Sequence, residues 1–305
     1  MLSLNVIGYL FLGGVGGGMG LASSVIALLA LREQGPRAFK TCKPLLSASH
    51  CAAACCLGFA CLLLIADLGR PDRLLVLFLS PTMTFLFAGT MALSACLALN
   101  TLLALVWSGL LARVAKWTAP LHIALMAGSL FVMVYTGLLL ASLGSVPLWH
   151  TPWLPVLFFL SACSCGIAAV LMVGQFRSCV AQFPVLFERM MHADAVLIVA
   201  EGLVTAAFLH TALHAGSATQ TDVAAVAGAA SLMEGRFARL FWVSFVLCGM
   251  AVPFVLEVLS CLLGKIEHRS PYVLLWASAL VLAGGLFMRL AVVAAGTQPA
   301  LIFGA

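Results

Sequence analysis

Three polar side chains in this chain of 305 residues are of types that handle a carbonyl whose reduction is coupled to protons. Asn5, Asp67 and Tyr135 supply an amide, a carboxylate and a phenol, and each stands towards the edge of a long apolar run. Each has an ordinary role when taken alone. Asn5 can cap a helix, Asp67 beside Gly69 and Pro71 can make a turn, and Tyr135 can anchor at a membrane interface. Between apolar helices, the three together would suit a molecule with two polar carbonyls and a greasy tail. A quinone is such a molecule, and its redox chemistry moves protons with electrons, so hydrogen-bonding groups at its carbonyls matter.

A second set lies deeper. Glu201 and Glu257 stand inside later apolar runs, and Arg289 lies in GGLFMRLAVVAAG. Ionisable groups inside a bilayer mark function or a specific partner. The carboxyls are read as proton-path candidates, with structural hydrogen bonding as the alternative. Arg289 either snorkels outward or neutralises a carboxylate. Histidine bears on a rival reading, because a cytochrome b holds haem between histidines on facing helices. His50 and His122 form one conceivable pair, whereas His210 and His214 share one helix at i, i+4, and His150 and His192 fall at loops. The 11 cysteines include no C-x-x-C pair, so the chain is expected to carry no haem, no iron–sulfur cluster and no metal site of its own.

The elements that must position these residues follow from composition. The chain is 64% hydrophobic and only 8% charged, against roughly 25% charged in soluble proteins. That excludes a soluble enzyme, a nucleic-acid binder and a disordered chain. Continuous apolar runs predict helices, since a barrel would show ~10-residue alternating segments. Breaks in the pattern place eight spans at 5–31, 44–66, 83–107, 119–142, 153–176, 193–215, 238–263 and 271–296. The 15 Lys and Arg then divide by loop. Ten lie on one side (Arg32, Arg37, Lys40, Lys43, Arg113, Lys116, Arg177, Arg189, Lys265 and Arg269), and five on the other (Arg70, Arg73, Arg236, Arg239 and Arg289). The richer side is read as cytoplasmic, which puts both termini outside. Odd spans then begin outside and even spans end there, so Asn5, Asp67 and Tyr135 come to similar depth, within ~10 Å of the outer face. The loop 216–237 is read as a connector or as a cap over an external site.

The strings YLFLGGVGGGMG, ADLGRPDR, YTGLLLASLGSVPLWHTPWLPVLFFLSACSCG, GRFARLFWVSFVLCGMAVPFVLE and GGLFMRLAVVAAGTQ resemble, in order and over nearly the whole chain, the NrfD/PsrC family. Its members are membrane anchor subunits of polysulfide-, DMSO- and nitrite-reductase-type complexes. The resemblance implies an eight-helix subunit of the bacterial inner membrane that binds a quinone, menaquinone or ubiquinone, near the outer face. It implies electron exchange with a ferredoxin-like four-cluster iron–sulfur subunit, which serves a molybdopterin catalytic subunit. Tyr135 matches the family's quinone-contacting tyrosine, Asn5 an asparagine at the start of the first helix, and Asp67 the turn motif. The loops carrying Arg70, Asp72 and Arg73, and Trp149 and His150, would face the partner.

The sequence therefore reads as one integral domain over 1–305, an all-α polytopic membrane protein with eight transmembrane helices in two bundles and both termini outside. A haem-bearing cytochrome b subunit and a transporter unlinked to redox are the alternatives. The second would favour internal repeats with broken helices, whereas Gly13–Gly20 reads as close helix packing.

Overall fold

The computed structural model describes residues 4–68, 85–143, 146–214, 220–262 and 271–296. Every long element among them is helical: α1 (Leu4–Gln34), α2 (Lys43–Leu68), α3 (Phe85–Ser108), α4 (Thr118–Ala141), α5 (Trp153–Phe176), α6 (Pro184–Leu213), α7 (Gln220–Met233), α8 (240–262) and α9 (Pro271–Gly296). All except α7 are long and apolar enough to cross a bilayer, which gives eight candidate spans among the described residues. Large apolar side chains such as Phe59, Leu62, Val196, Leu203 and Trp276 stand exposed on the outside, as a lipid-facing surface requires. The chain is an all-α, multi-pass membrane protein.

The spans form two four-helix rings. In the first, α1 packs on α2 and α4, and α3 closes the ring between them; in the second, α5 packs on α6 and α9, and α8 joins those two. The rings meet where α1 and α4 lie against α5. Bare backbone makes that meeting close: a methyl group on Gly18 of α1 would strike Ala162 and Gly166 of α5, and one on Gly166 would strike Gly18. Small residues at a crossing replace the hydrophobic drive that lipid does not supply between helices.

Two elements depart from the pattern of apolar runs. α6 begins at Pro184 rather than near 193, with Pro in its first turn. Its first three turns bury Phe187, Met190 and Met191 and leave Glu188, Arg189 and His192 exposed, so an amphipathic start extends the apolar span. Within the loop 216–237, α7 packs against α6, α8, α9 and the short 3-10 turn Pro147–Trp149. α8 opens as a π-helix over Leu240–Ala251 and continues as an α-helix from Val252. Pro253 lacks an N–H and crowds the carbonyl four residues back, which is Gly249, so the wider register ends where that proline sits.

Eight crossings bring the start of α1 and the end of α9 to one end of the molecule, hereafter the Tyr135 end. The opposite end carries the start of α2 and is hereafter the Lys43 end.

Candidate functional site

At the Tyr135 end, four helices of the first ring converge. Tyr135 of α4 and Tyr9 of α1 are both buried, and the Tyr9 phenol lies within electrostatic range of Tyr135 and of Asp67 at the end of α2. Gly89 of α3 seats the Tyr135 ring: any side-chain carbon there would overlap it. Phe131, one turn earlier on α4, lies near-parallel to Tyr135 with ring centroids 6.2 Å apart. Asn5 is half-buried and stands four residues before Tyr9, on the same face of α1. The structure thus groups Asp67 and Tyr135 with Asn5 one turn away, and adds Tyr9. Arg70, Asp72 and Arg73 lie outside the described residues.

The surroundings suit a lipid-soluble ligand. Leu4, Leu62, Met91, Phe131 and Leu138 are exposed apolar side chains on the same four helices. A quinone head could be met by two phenol O–H donors from facing helices while its tail stays against these groups. The residues present therefore fit a quinone.

The second ring holds a charged column. Arg289 is fully buried, not snorkelled to an interface. Its Nη1 donates to the Gly285 carbonyl at 2.9 Å and to Ser161 Oγ at 3.3 Å, and the guanidinium lies 5.7 Å from the Phe11 ring and 5.2 Å from the Phe158 ring. Gly14 and Gly285 leave room for it. Glu201 interacts with Ser161 and Arg289. One turn along α5, Ser164 Oγ donates to Asp194 Oδ1 at 2.6 Å, and Asp194 adjoins Glu257. Glu257 is thus the neighbour of Asp194 rather than of Glu201, and the column runs Glu257–Asp194–Ser164, then Ser161–Glu201–Arg289. Arg289 Nε and Nη2 are buried without a hydrogen-bond partner among the described residues.

Trp149 packs inside the chain. It is fully buried, and its indole N–H donates to the Val292 carbonyl at 3.0 Å. A methyl group on Gly296 would strike its ring, so Trp149 locks the end of α9 against the turn before α5. His150 is exposed, with Nδ1 3.3 Å from the Ala141 carbonyl.

The histidine pair does not fit haem. His50 and His122 are fully buried, with ring centroids 5.2 Å apart. The Trp107 indole N–H donates to His122 Nε2 at 3.1 Å. An indole can only donate, so His122 carries its proton on Nδ1, which faces Ser24 Oγ at 3.1 Å. Both nitrogens are committed, and His122 keeps no lone pair for iron.

Tyr9 and Asp194 are not evident from the sequence. Tyr9 is one of only three tyrosines in the chain, and its i+4 spacing from Asn5 is the available signal. Asp194 looks like a boundary residue when the sixth span is begun at 193; with α6 begun at Pro184, it lies ~15 Å into the helix.

The family model described as polysulphide reductase, NrfD, matches residues 2–300. The sequence is 31% identical to the polysulfide reductase C subunit of Wolinella succinogenes over 306 aligned residues, covering 94% of this chain and 92% of that protein. It is 28% identical to a protein NrfD homolog of Haemophilus influenzae over 143 residues, 45% of this chain and 41% of that one. With the family model matching residues 2–300 and an eight-span architecture beneath it, the chain belongs to the NrfD polysulphide reductase family.

Proposed function

We propose that this chain is the quinone-exchanging membrane anchor of a multi-subunit oxidoreductase in the bacterial inner membrane. The observation that carries the reading is the convergence of Tyr9, Asp67 and Tyr135 from three helices, with Asn5 one turn away, beside an apolar lipid-facing rim. Both termini and the Tyr135 end face outward, on the strength of the ten-to-five division of Lys and Arg. There a ferredoxin-like four-cluster subunit docks and connects the anchor to a molybdopterin catalytic subunit. Arg70, Asp72, Arg73 and His150 belong to that docking face.

A quinone supplies two-electron, two-proton chemistry when bound. Tyr135 and Tyr9 donate hydrogen bonds to its carbonyl oxygens and hold the head in place. Asp67, exposed at the end of its span, exchanges protons between the site and water, and Asn5 orients the head from the next turn of α1. Glu201, Glu257 and Arg289, joined by Asp194, form a candidate proton path through the second ring.

The test is Tyr135→Phe in the assembled complex, which keeps the ring and removes the phenol oxygen. Losing that hydrogen bond should cost ~0.5–1.5 kcal/mol of quinone binding, roughly threefold to tenfold in affinity. If the phenol also passes a proton, turnover should fall by ~10²-fold or more. Activity with a quinol analogue falls while activity from an artificial donor to the catalytic subunit survives. Wild-type behaviour in both assays would make Tyr135 an interfacial anchor only.

A further inference from the structure

The charged residues at the Lys43 end of the first ring are of nearly one sign. Arg32, Arg37, Lys40, Lys43, Arg113 and Lys116 are positive there, and among the described residues Glu33 alone opposes them. Orientation in a bilayer accounts for such a bias, because cations in short loops hold those loops on one side. It does not account for a chamber between two of the cations. A cavity of about 390 Å³ opens between the start of α2 and the end of α3, lined by Phe39, Lys40, Lys43, Val106, Trp107 and Gly109, among others. That volume is in the range of sites that hold a small molecule.

Its walls are of two kinds. Phe39 and Trp107 stack with ring centroids 4.6 Å apart, and the Trp107 indole N–H is already donated to His122, so both rings offer hydrocarbon. Behind Trp107 lies a buried polar layer, in which Asn100 Nδ2 donates to the Cys96 carbonyl at 2.9 Å and Oδ1 accepts from His50 Nδ1 at 3.0 Å. His50 and Asn100 stand outside the cavity lining. The other wall is cationic. Lys40 and Lys43 are exposed, and neither makes an ion pair among the described residues. Gly109 turns the chain at φ +89°, a conformation that side chains rarely adopt. A carbon added there would come 3.5 Å from Lys43 Nζ, so the ammonium stands beside bare backbone. Around the cavity the surface is apolar. Leu110 and Trp117 are exposed in the turn between α3 and α4, and Leu105 is exposed one turn before Gly109, on the same face of α3. An exposed indole between two spans stands at the level of the lipid headgroups.

We propose that this cavity binds one anionic phospholipid from the leaflet at the Lys43 end. Its phosphate lies between Lys40 and Lys43, its glycerol rests against Phe39 and Trp107, and its acyl chains run along α3 past Leu105. A basic pocket between spans is the form that recognition of an anionic headgroup takes. A soluble phosphate carries the same charge, but it gains nothing from two stacked rings and an apolar rim. A zwitterionic headgroup would bring its own cation against the two lysines. The lipid ties the segment that joins α1 to α2, which carries Phe39 and Lys40, to the end of α3. Binding to the folded chain alone also stabilises it. The site stands apart from the quinone reading and survives its failure.

The test titrates the full chain, purified in a neutral detergent, with phosphatidylglycerol or with phosphatidylcholine of the same acyl chains, and native mass spectrometry counts the lipid retained. The wild type should hold phosphatidylglycerol at least about fivefold more tightly than phosphatidylcholine. Replacing both lysines, Lys40→Gln with Lys43→Gln, should weaken phosphatidylglycerol by about tenfold or more and leave phosphatidylcholine unchanged. Arg113→Gln with Lys116→Gln removes the same charge from the same end but outside the cavity lining, and it should change retention by less than about twofold. An equal loss in the two pairs would show attraction to the whole basic surface and overturn the site. Retention of both lipids alike by the wild type would overturn it too. Displacement of the lipid by millimolar inorganic phosphate would assign the lysines to a soluble anion and overturn the lipid. Should the double lysine variant fail to fold, Ala115→Trp decides, since it fills the cavity from its wall and keeps every charge. It should lower phosphatidylglycerol retention, and undiminished retention would overturn the proposal.

Discussion

The two rings solve the same problem, polar side chains inside a bilayer, with opposite chemistry. The first uses imidazoles, an amide, an indole and hydroxyls, arranged so that one hydrogen bond fixes the tautomer for the next. The second uses one guanidinium and three carboxyls, bridged by Ser161 and Ser164 one turn apart on α5. In the first ring, removing one member loses a hydrogen bond. In the second, removing the cation leaves Glu201 without its counter-charge. Neutral networks cost less to break, and charged ones hold a variable number of protons.

The largest expected effect follows from that difference. Arg289→Met keeps much of the length and packing but strands Glu201, and breaking a buried pair on one side costs ~3–5 kcal/mol. Thermal unfolding of the purified complex in detergent should show a large drop, or assembly should fail. A variant as stable as wild type would show that Glu201 is held without the guanidinium, and would dissolve the contrast between the rings. Arg289→Lys keeps a charge and loses the fork, so its loss should be smaller.

A smaller effect is expected in the first ring. Ser24→Ala removes the oxygen facing His122 Nδ1, which should cost ~1–3 kcal/mol for a buried donor left open. The same unfolding measurement reads it. A loss equal to that of Arg289→Met would mean that the first layer is as structurally critical as the charged column, and the comparison would fail from the other side.

Much of the architecture is legible in the sequence because the bilayer forces it. Eight apolar runs become eight spans, since lipid leaves helices as the way to satisfy their backbone. The sixth span is misplaced at its start because an amphipathic turn such as Phe187–Glu188–Arg189–Met190 looks like a charged loop until its faces are separated. That one boundary hides Asp194. Tyr135 and Asp67 are legible because their depth follows from counting residues from the ends of spans. Tyr9 does not stand out, because a tyrosine near the start of a span reads as an interface anchor until α2 and α4 bring Asp67 and Tyr135 to it. Trp149 misleads for the opposite reason: a tryptophan in a loop looks exposed, and only the fold shows that the end of α9 closes over it.

A photoreactive quinone tests most directly where the quinone sits. The complex is illuminated with an azido-quinone, the anchor is digested and the labelled peptides are identified, with excess unlabelled quinone as competitor. Competable label should fall on the first turns of α1 around Asn5 and Tyr9 and on α4 around Phe131–Leu138. Competable label concentrated around Trp107 and His122, or on the second ring around Asp194 and Glu257, would contradict the account.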